Sequence, residues 1–242
     1  MRKNPVRFFF GMLLDLIYPR RCPVCDKAVK PFGNLICEEC VKKIKYVKAP
    51  CCQKCGKELK DTRAVFCHDC MQRAHNYDSG MALFDYRSVS DSIYRFKYRG
   101  RQEYAAYYGE RMARILGKRI LALHPDALVP VPIHRSKKRA RGFNQAEVLA
   151  KELGRFLQIP VETKLIKRVR KTKPMKDLSA QERQNNLKRA FKICDNDVKL
   201  STIIIIDDIY TTGSTIDAMA RELRRAGIQY IYYAALAIGN GM

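Results

Sequence analysis

Ile203-Ile204-Ile205-Ile206-Asp207-Asp208-Ile209-Tyr210-Thr211-Thr212-Gly213-Ser214-Thr215-Ile216 decides the fold. Four consecutive isoleucines predict a strand buried on both faces, as in the middle of a parallel sheet. Two adjacent carboxylates come where the chain leaves the core, followed by a hydroxyl-rich loop around one glycine and then a helix. Ile216, Met219, Ala220, Leu223 and Ala226 fall on one helical face, and Gly227 suits the C-terminal cap. A strand, a short loop and a helix N-terminus make an anion site, because backbone N–H groups and the positive end of the helix dipole converge there. Gly213 admits close approach of the backbone, and Thr211, Thr212, Ser214 and Thr215 add side-chain donors. No lysine stands at the Walker position, which disfavours a nucleoside-triphosphate loop. Paired aspartates beside a phosphate loop suit a ligand that presents hydroxyls, alone or with a metal. A ribose phosphate has that chemistry.

The chain around this stretch has 242 residues, enough for one large domain and a small one. Its 47% apolar content is that of a globular protein. A net charge of +23 implies a polyanionic partner: nucleic acid, a phosphorylated metabolite or an anionic membrane surface. Near the N-terminus, Phe8 to Leu14 follows Arg2, Lys3 and Arg7 in the manner of a signal peptide, but Asp15 interrupts it and no small-residue cleavage site precedes Pro19. The run is too short to span a bilayer. It is expected to form an apolar helix docked on the protein.

The cysteines form an internal repeat. Cys22, Cys37, Cys52 and Cys67 each open a C-x-x-C knuckle, completed by Cys25, Cys40, Cys55 and Cys70. Turn residues follow Cys25 and Cys55, whereas helix-like segments follow Cys40 and Cys70. Opening and closing knuckles thus alternate, which favours two sequential sites, Cys22/Cys25/Cys37/Cys40 and Cys52/Cys55/Cys67/Cys70. Thiolates in closed sets of four select zinc in a structural role. Reduced thiols in metal spacing point to a cytoplasmic location. Cys51 could replace Cys52, but the repeat favours Cys52; His68 reads as a solvent-facing turn residue, and Cys194 as a lone packed thiol.

Past Tyr77 the composition changes. Residues 80–86 read as a strand, 90–98 and 103–123 as helices, and 128–133 as a strand whose Pro130 and Pro132 lie near its exit. Residues 134–145 are expected to form a basic loop before a helix at 146–156. Arg135 to Arg141 is either a solvated surface or a polyphosphate or nucleic-acid contact. Arg141-Gly142-Phe143-Asn144-Gln145 favours the contact, since arginine forks bind phosphate, glycine permits a tight backbone, and the amides can read polar edges. A strand is expected at 159–165, a mobile basic loop at 167–176, a capping box at Ser179/Glu182, and closing strands at 202–207 and 230–238. Alternating strands and helices predict a parallel α/β sheet with its ligand at the carboxyl ends of the strands.

Residues 205–215 resemble the phosphoribosyl-diphosphate loop of type I phosphoribosyltransferases. The cysteine ribbons, Lys97-Tyr98-Arg99-Gly100, Val129-Pro130-Val131-Pro132, Arg141 to Gln145, and Leu178, Arg183 and Asn186 narrow the resemblance to the ComF family of competence-associated, phosphoribosyltransferase-like proteins. Met175 departs from it, standing three residues after Thr172 where the family usually has glutamine.

The resemblance implies an N-terminal helix at 1–20, a double zinc ribbon at 21–75 and a type I phosphoribosyltransferase-like domain, a parallel sheet flanked by helices, at 77–242. It implies that Asp207 and Asp208 hold ribose hydroxyls and act in catalysis, and that Thr211, Thr212, Gly213, Ser214 and Thr215 wrap the 5′-phosphate. Lys97, Arg135, Arg141, Gly142, Asn144 and Gln145 complete the expected substrate-binding set.

Two functions follow from it. One is transfer of a phosphoribosyl group from phosphoribosyl diphosphate with Mg2+, releasing pyrophosphate; no acceptor hood is recognisable. The other is a non-catalytic competence protein that binds single-stranded DNA and touches the competence helicase. Tyr98, Tyr104, Tyr107, Tyr108 and Phe143 would then be stacking platforms, unless these rings are core.

Overall fold

A computed structural model describes residues 19–30, 33–170, 190–194 and 199–239. The expected N-terminal helix therefore lies outside the described residues up to position 18, as do Thr172, Met175, Leu178, Ser179, Glu182, Arg183 and Asn186.

Four parallel strands form the centre: β1 (Ser79–Asp85), β2 (Ala127–Pro130), β5 (Thr202–Tyr210) and β6 (Tyr230–Ile238), in the order β1-β6-β5-β2. Ile203, Ile204, Ile205 and Ile206 are all fully buried in β5. Alternation along the strand divides them between two apolar layers. Ile204 and Ile206 meet Phe96, Met112 and Leu149 on one face, while Ile203 and Ile205 meet Ile216, Met219 and Tyr233 on the other. Burying each such side chain contributes roughly 1.5–3 kcal/mol.

The first face carries α3 (Tyr86–Tyr98), α4 (Tyr104–Leu121) and α6 (Gln145–Leu157); the second carries α7 (Ser214–Arg225). The apolar stripe on α7 is buried as expected except at Ala226, which is exposed and ends the helix before the left-handed Gly227 at φ +94°. Pro130 ends the edge strand β2, where its missing N–H costs no ladder bond.

Three expectations are corrected. Residues 159–165 contribute only a bridge from Val161 to Leu128, and the nearby strand is β3 (Ile166–Arg168), antiparallel to β4 (Phe191–Ile193). β5 runs on through the aspartates to Tyr210. The basic segment forms a helix, α5 (Arg135–Arg141), not a loop. His134 caps it by accepting from the Ser136 N–H, Gly142 closes it at φ +82°, and Arg, Lys and Ala between them favour helix.

The cysteine segments pack on this sheet. Each carries a short helix within its closing knuckle, α1 (Glu38–Val41) after Cys37 and α2 (His68–Gln72) after Cys67. Cys22, Val29, Ile36, Cys40 and Ile44 join the first apolar layer, and Cys52, Cys55, Cys67 and Tyr77 join the second. The linker between them pairs with the free edge of β1, through Tyr46↔Phe84 and the Val47 N–H to Leu83 O bond of 3.0 Å. The ribbons thus cap opposite faces of one sheet. No helix among the described residues is long and apolar enough to cross a membrane.

Candidate functional site

The carboxylates stand near the carboxyl end of β5, and Lys97, Lys137 and Arg168 act on them. Lys97, at the end of α3, places Nζ 2.8 Å from Asp208 Oδ1, with both side chains mostly withdrawn from water. The Asp208 N–H donates to Asp207 Oδ1 at 2.8 Å. Burial, and next the charge of Asp208, push the Asp207 carboxyl up to about 7, against the attraction of Lys97 and Arg168. Burial also holds the Lys137 ammonium below its ordinary value, as do Arg168, Arg141 and Lys97, while Asp208 draws it the other way. Arg168 on β3 is likewise lowered by burial against the pull of Asp207. Lys97, Lys137 and Arg168 thus act on two carboxylates, one of which gives up its proton only near neutrality, and Arg141 acts on Lys137 beside them.

The helical form of the basic segment sorts its charges. Lys137 and Arg141, four residues apart, share a face turned toward this cluster. Arg135, Lys138 and Arg139 are exposed and line a shallow depression with Gly142. Arg141 Nη1 donates to Gln145 Oε1 at 3.0 Å and Nη2 to Tyr98 Oη at 3.1 Å, with the guanidinium 4.7 Å from the Tyr98 ring centre. Asn144 caps α6 by accepting from the Ala146 N–H at 3.2 Å, and its Nδ2 donates to Val131 O at 3.1 Å. Both ends of the Asn144 side chain are therefore used within the fold. Gln145 is buried and braces Arg141.

Thr211 to Thr215 wrap the N-terminus of α7. Gly213 occupies the cap position at φ +75° and makes no side-chain capping bond, so the N–H groups of the first turn remain available. Thr212 Oγ1 and Ser214 Oγ lie 2.9 Å apart, and Asp207, Ile209 and residues 210–216 line one depression. The 211–215 loop and the first carboxylate thus share a cavity.

Of the aromatic platforms, Tyr104, Tyr107 and Tyr108 are buried beneath the sheet and belong to the core, with Phe143 beside them. Tyr98 is about half exposed, and Tyr94 packs on it at 5.1 Å. Arg168 and Tyr94 were not among the expected site residues, and Lys137 was expected only as part of the 135–141 run. The i, i+4 spacing of Lys137 with Arg141 was the signal that could have singled it out.

Cys22, Cys25, Cys37 and Cys40 form one group and Cys52, Cys55, Cys67 and Cys70 another, with all four sulfurs of each within 4.8 Å of one another. Cys55 Sγ and Cys67 Sγ are 3.6 Å apart, close to the edge of a tetrahedron with Zn–S bonds of about 2.3 Å. Burial and neighbouring thiols push Cys40 up to about 12, so a set of four thiolates calls for a cation at its centre. The donor sets fit two structural zinc ions. Cys51 stays outside, its Sγ bonded to Lys48 O, and His68 is exposed.

Known proteins repeat both parts. Residues 13–71 match the double zinc ribbon domain and residues 110–241 the phosphoribosyl transferase domain. Competence protein F of Haemophilus influenzae is 37% identical over 115 residues, 47% of this chain and 50% of that one. DNA utilization protein YhgH of Salmonella typhi is 32% identical over 165 residues, 65% of this chain and 70% of that one. Competence protein ComFC of Bacillus subtilis is 32% identical over 143 residues, 57% of this chain and 55% of that one. This chain belongs to the ComF family.

Membership covers the ribbons and the phosphoribosyltransferase-type sheet together. The matched stretch spans half the length of the Haemophilus family member. A hypoxanthine phosphoribosyltransferase of Staphylococcus aureus aligns with a TM-score of 0.35 at 12% identity, over 58% of this chain and 74% of that one.

Proposed function

We propose that this ComF-family chain binds phosphoribosyl diphosphate, with its 5′-phosphate in the 211–215 loop, its ribose hydroxyls on Asp207 and Asp208, and its diphosphate among Lys97, Lys137, Arg141 and Arg168. The observation that carries this reading is the cavity shared by Asp207 and residues 210–216, beside the Lys97–Asp208 ion pair. Ribose hydroxyls donate to carboxylates, and the diphosphate offers Lys97 a stronger partner than Asp208 alone. Mg2+ keeps most of its water and binds chiefly through substrate phosphates, so it would arrive with the donor, and the carboxylates complete its surroundings. Where transfer occurs, ionised Asp207 and Asp208 stabilise positive charge at the ribosyl carbon, and the arginines and lysines stabilise the departing pyrophosphate. Gln145 and Tyr98 fix the Arg141 fork for that task. Calorimetric titration of phosphoribosyl diphosphate with Mg2+ tests the assignment. Saturable binding that disappears on combining Asp207→Asn with Asp208→Asn supports it, and binding unchanged in that variant refutes it.

A second reading rests on the exposed face of α5. Arg135, Lys138 and Arg139 are exposed, and Arg141 on the same helix contacts the half-exposed Tyr98, on which Tyr94 packs. This face suits single-stranded DNA, consistent with a role in competence and with a helicase partner acting on the same strand. Affinity for an oligonucleotide should fall steeply with salt and on charge reversal of Arg135, Lys138 and Arg139. A salt-insensitive interaction would count against it.

A further inference from the structure

The two ribbons hold different parts of the site. The first grips α3, which carries Lys97, and α4 beside it: Arg95 donates to Val24 O at 2.6 Å, and the Tyr104 hydroxyl donates to Asp26 at 2.7 Å. The second grips the phosphate loop. Tyr77 Oη lies 2.7 Å from Tyr210 Oη. Tyr233 stacks on Tyr210 with ring centres 4.7 Å apart and donates its hydroxyl to Cys55 O. His75, five residues past Cys70, stacks on Tyr77 and places Nδ1 2.7 Å from Asp217 Oδ2, while the Asn76 N–H donates to Asp217 Oδ1 at 2.8 Å.

Two consequences bear on the loop. A Cβ at Gly213 would meet Tyr210 Oη at 2.7 Å and His75 Cε1 at 3.2 Å, so the loop backbone rests on a tyrosine and an imidazole that the ribbon holds in place. Asp217 lies in the first turn of α7, where its negative charge would oppose a bound phosphate. His75 and Asn76 engage both of its oxygens and direct them toward the ribbon.

We propose that His75 and Tyr77 are positioning residues for the 211–215 loop, so that the second ribbon, and not the first, sets its affinity for a phosphomonoester. This rests on the reading of that loop as the 5′-phosphate site. The link is the chain from Cys55 O through Tyr233 and Tyr210 to Gly213, with the His75–Asp217 pair beside it.

The test titrates full-length, zinc-loaded protein with ribose 5-phosphate and, separately, with pyrophosphate. His75→Ala and Tyr77→Phe should each weaken ribose 5-phosphate binding roughly five- to tenfold, the scale of one lost hydrogen bond, and leave pyrophosphate binding within about twofold. His75→Gln, which retains an N–H for Asp217, should recover most of the loss. Asp26→Asn in the first ribbon should leave ribose 5-phosphate binding unchanged. Equal loss of both ligands, or unchanged ribose 5-phosphate binding in the two variants, overturns the proposal. If the wild-type protein does not bind ribose 5-phosphate, the phosphate-loop reading falls and the proposal with it. If it binds and the variants bind equally well, only the positioning role falls.

Discussion

Lys97 Nζ and Asp208 Oδ1 lie 2.8 Å apart, joining the end of α3 to the end of β5 across the mouth of the site. In the absence of ligand, this pair neutralises a carboxylate that is otherwise short of water. A diphosphate entering beside it competes for the same ammonium. Lys97→Met should therefore weaken pyrophosphate binding by about tenfold or more, the value of one charge-assisted contact. It should also raise the Asp207 carboxyl further, since Lys97 is the largest influence holding it down. Carboxyl-carbon NMR of Asp207 in the variant reads that shift.

Asp207 gives the protein a pH signature. Its carboxyl titrates near 7 when folded, against an ordinary value near 4 when unfolded. Between those values the folded state holds the extra proton, so stability falls as pH rises through that window, and the loss is complete above 7. Asp207→Asn should raise the melting temperature at pH 8 and change it little near pH 4. Ligand binding should run the other way. Donor affinity should fall as pH drops below 7, because hydroxyls need the ionised carboxylate.

Gly213→Ala places a Cβ against Tyr210 Oη in a backbone conformation that L-residues rarely adopt. It should cost more than the roughly 1–2 kcal/mol of a left-handed backbone alone and abolish ribose 5-phosphate binding, measured by denaturant melts and calorimetry. Gly142→Ala is the contrast. Its φ of +82° is also left-handed, but nothing lies within 4 Å, so only the backbone cost should appear.

Native mass spectrometry should count two zinc ions per chain. Cys37→Ser and Cys67→Ser should each remove one, and Cys51→Ser none, since Cys51 Sγ bonds Lys48 O outside the group of four.

The β5 stretch and the cysteine pairing were readable because both are local. Four β-branched apolar residues in a row leave no solvent face, and knuckle spacing brings ligands together within a few turns of chain. The basic segment was misread because its charges suggested a repelled loop. The His134 cap and Gly142 stop that make it a helix were present, and with them the separation of Lys137 and Arg141 from Arg135 and Arg139. Asn144 carried no local sign that α6 and Val131 would use both its ends. The His75–Asp217 contact spans 142 positions, and no periodicity reports such a pair.

The central claim is that the phosphate loop, the aspartates and the cation cluster form one site. Calorimetry on the zinc-loaded protein with Mg2+, comparing phosphoribosyl diphosphate with ribose 5-phosphate and with pyrophosphate, tests it most directly. The intact donor should bind at least a hundredfold more tightly than either fragment, because one molecule engages both ends. A donor that binds no better than pyrophosphate alone would contradict it.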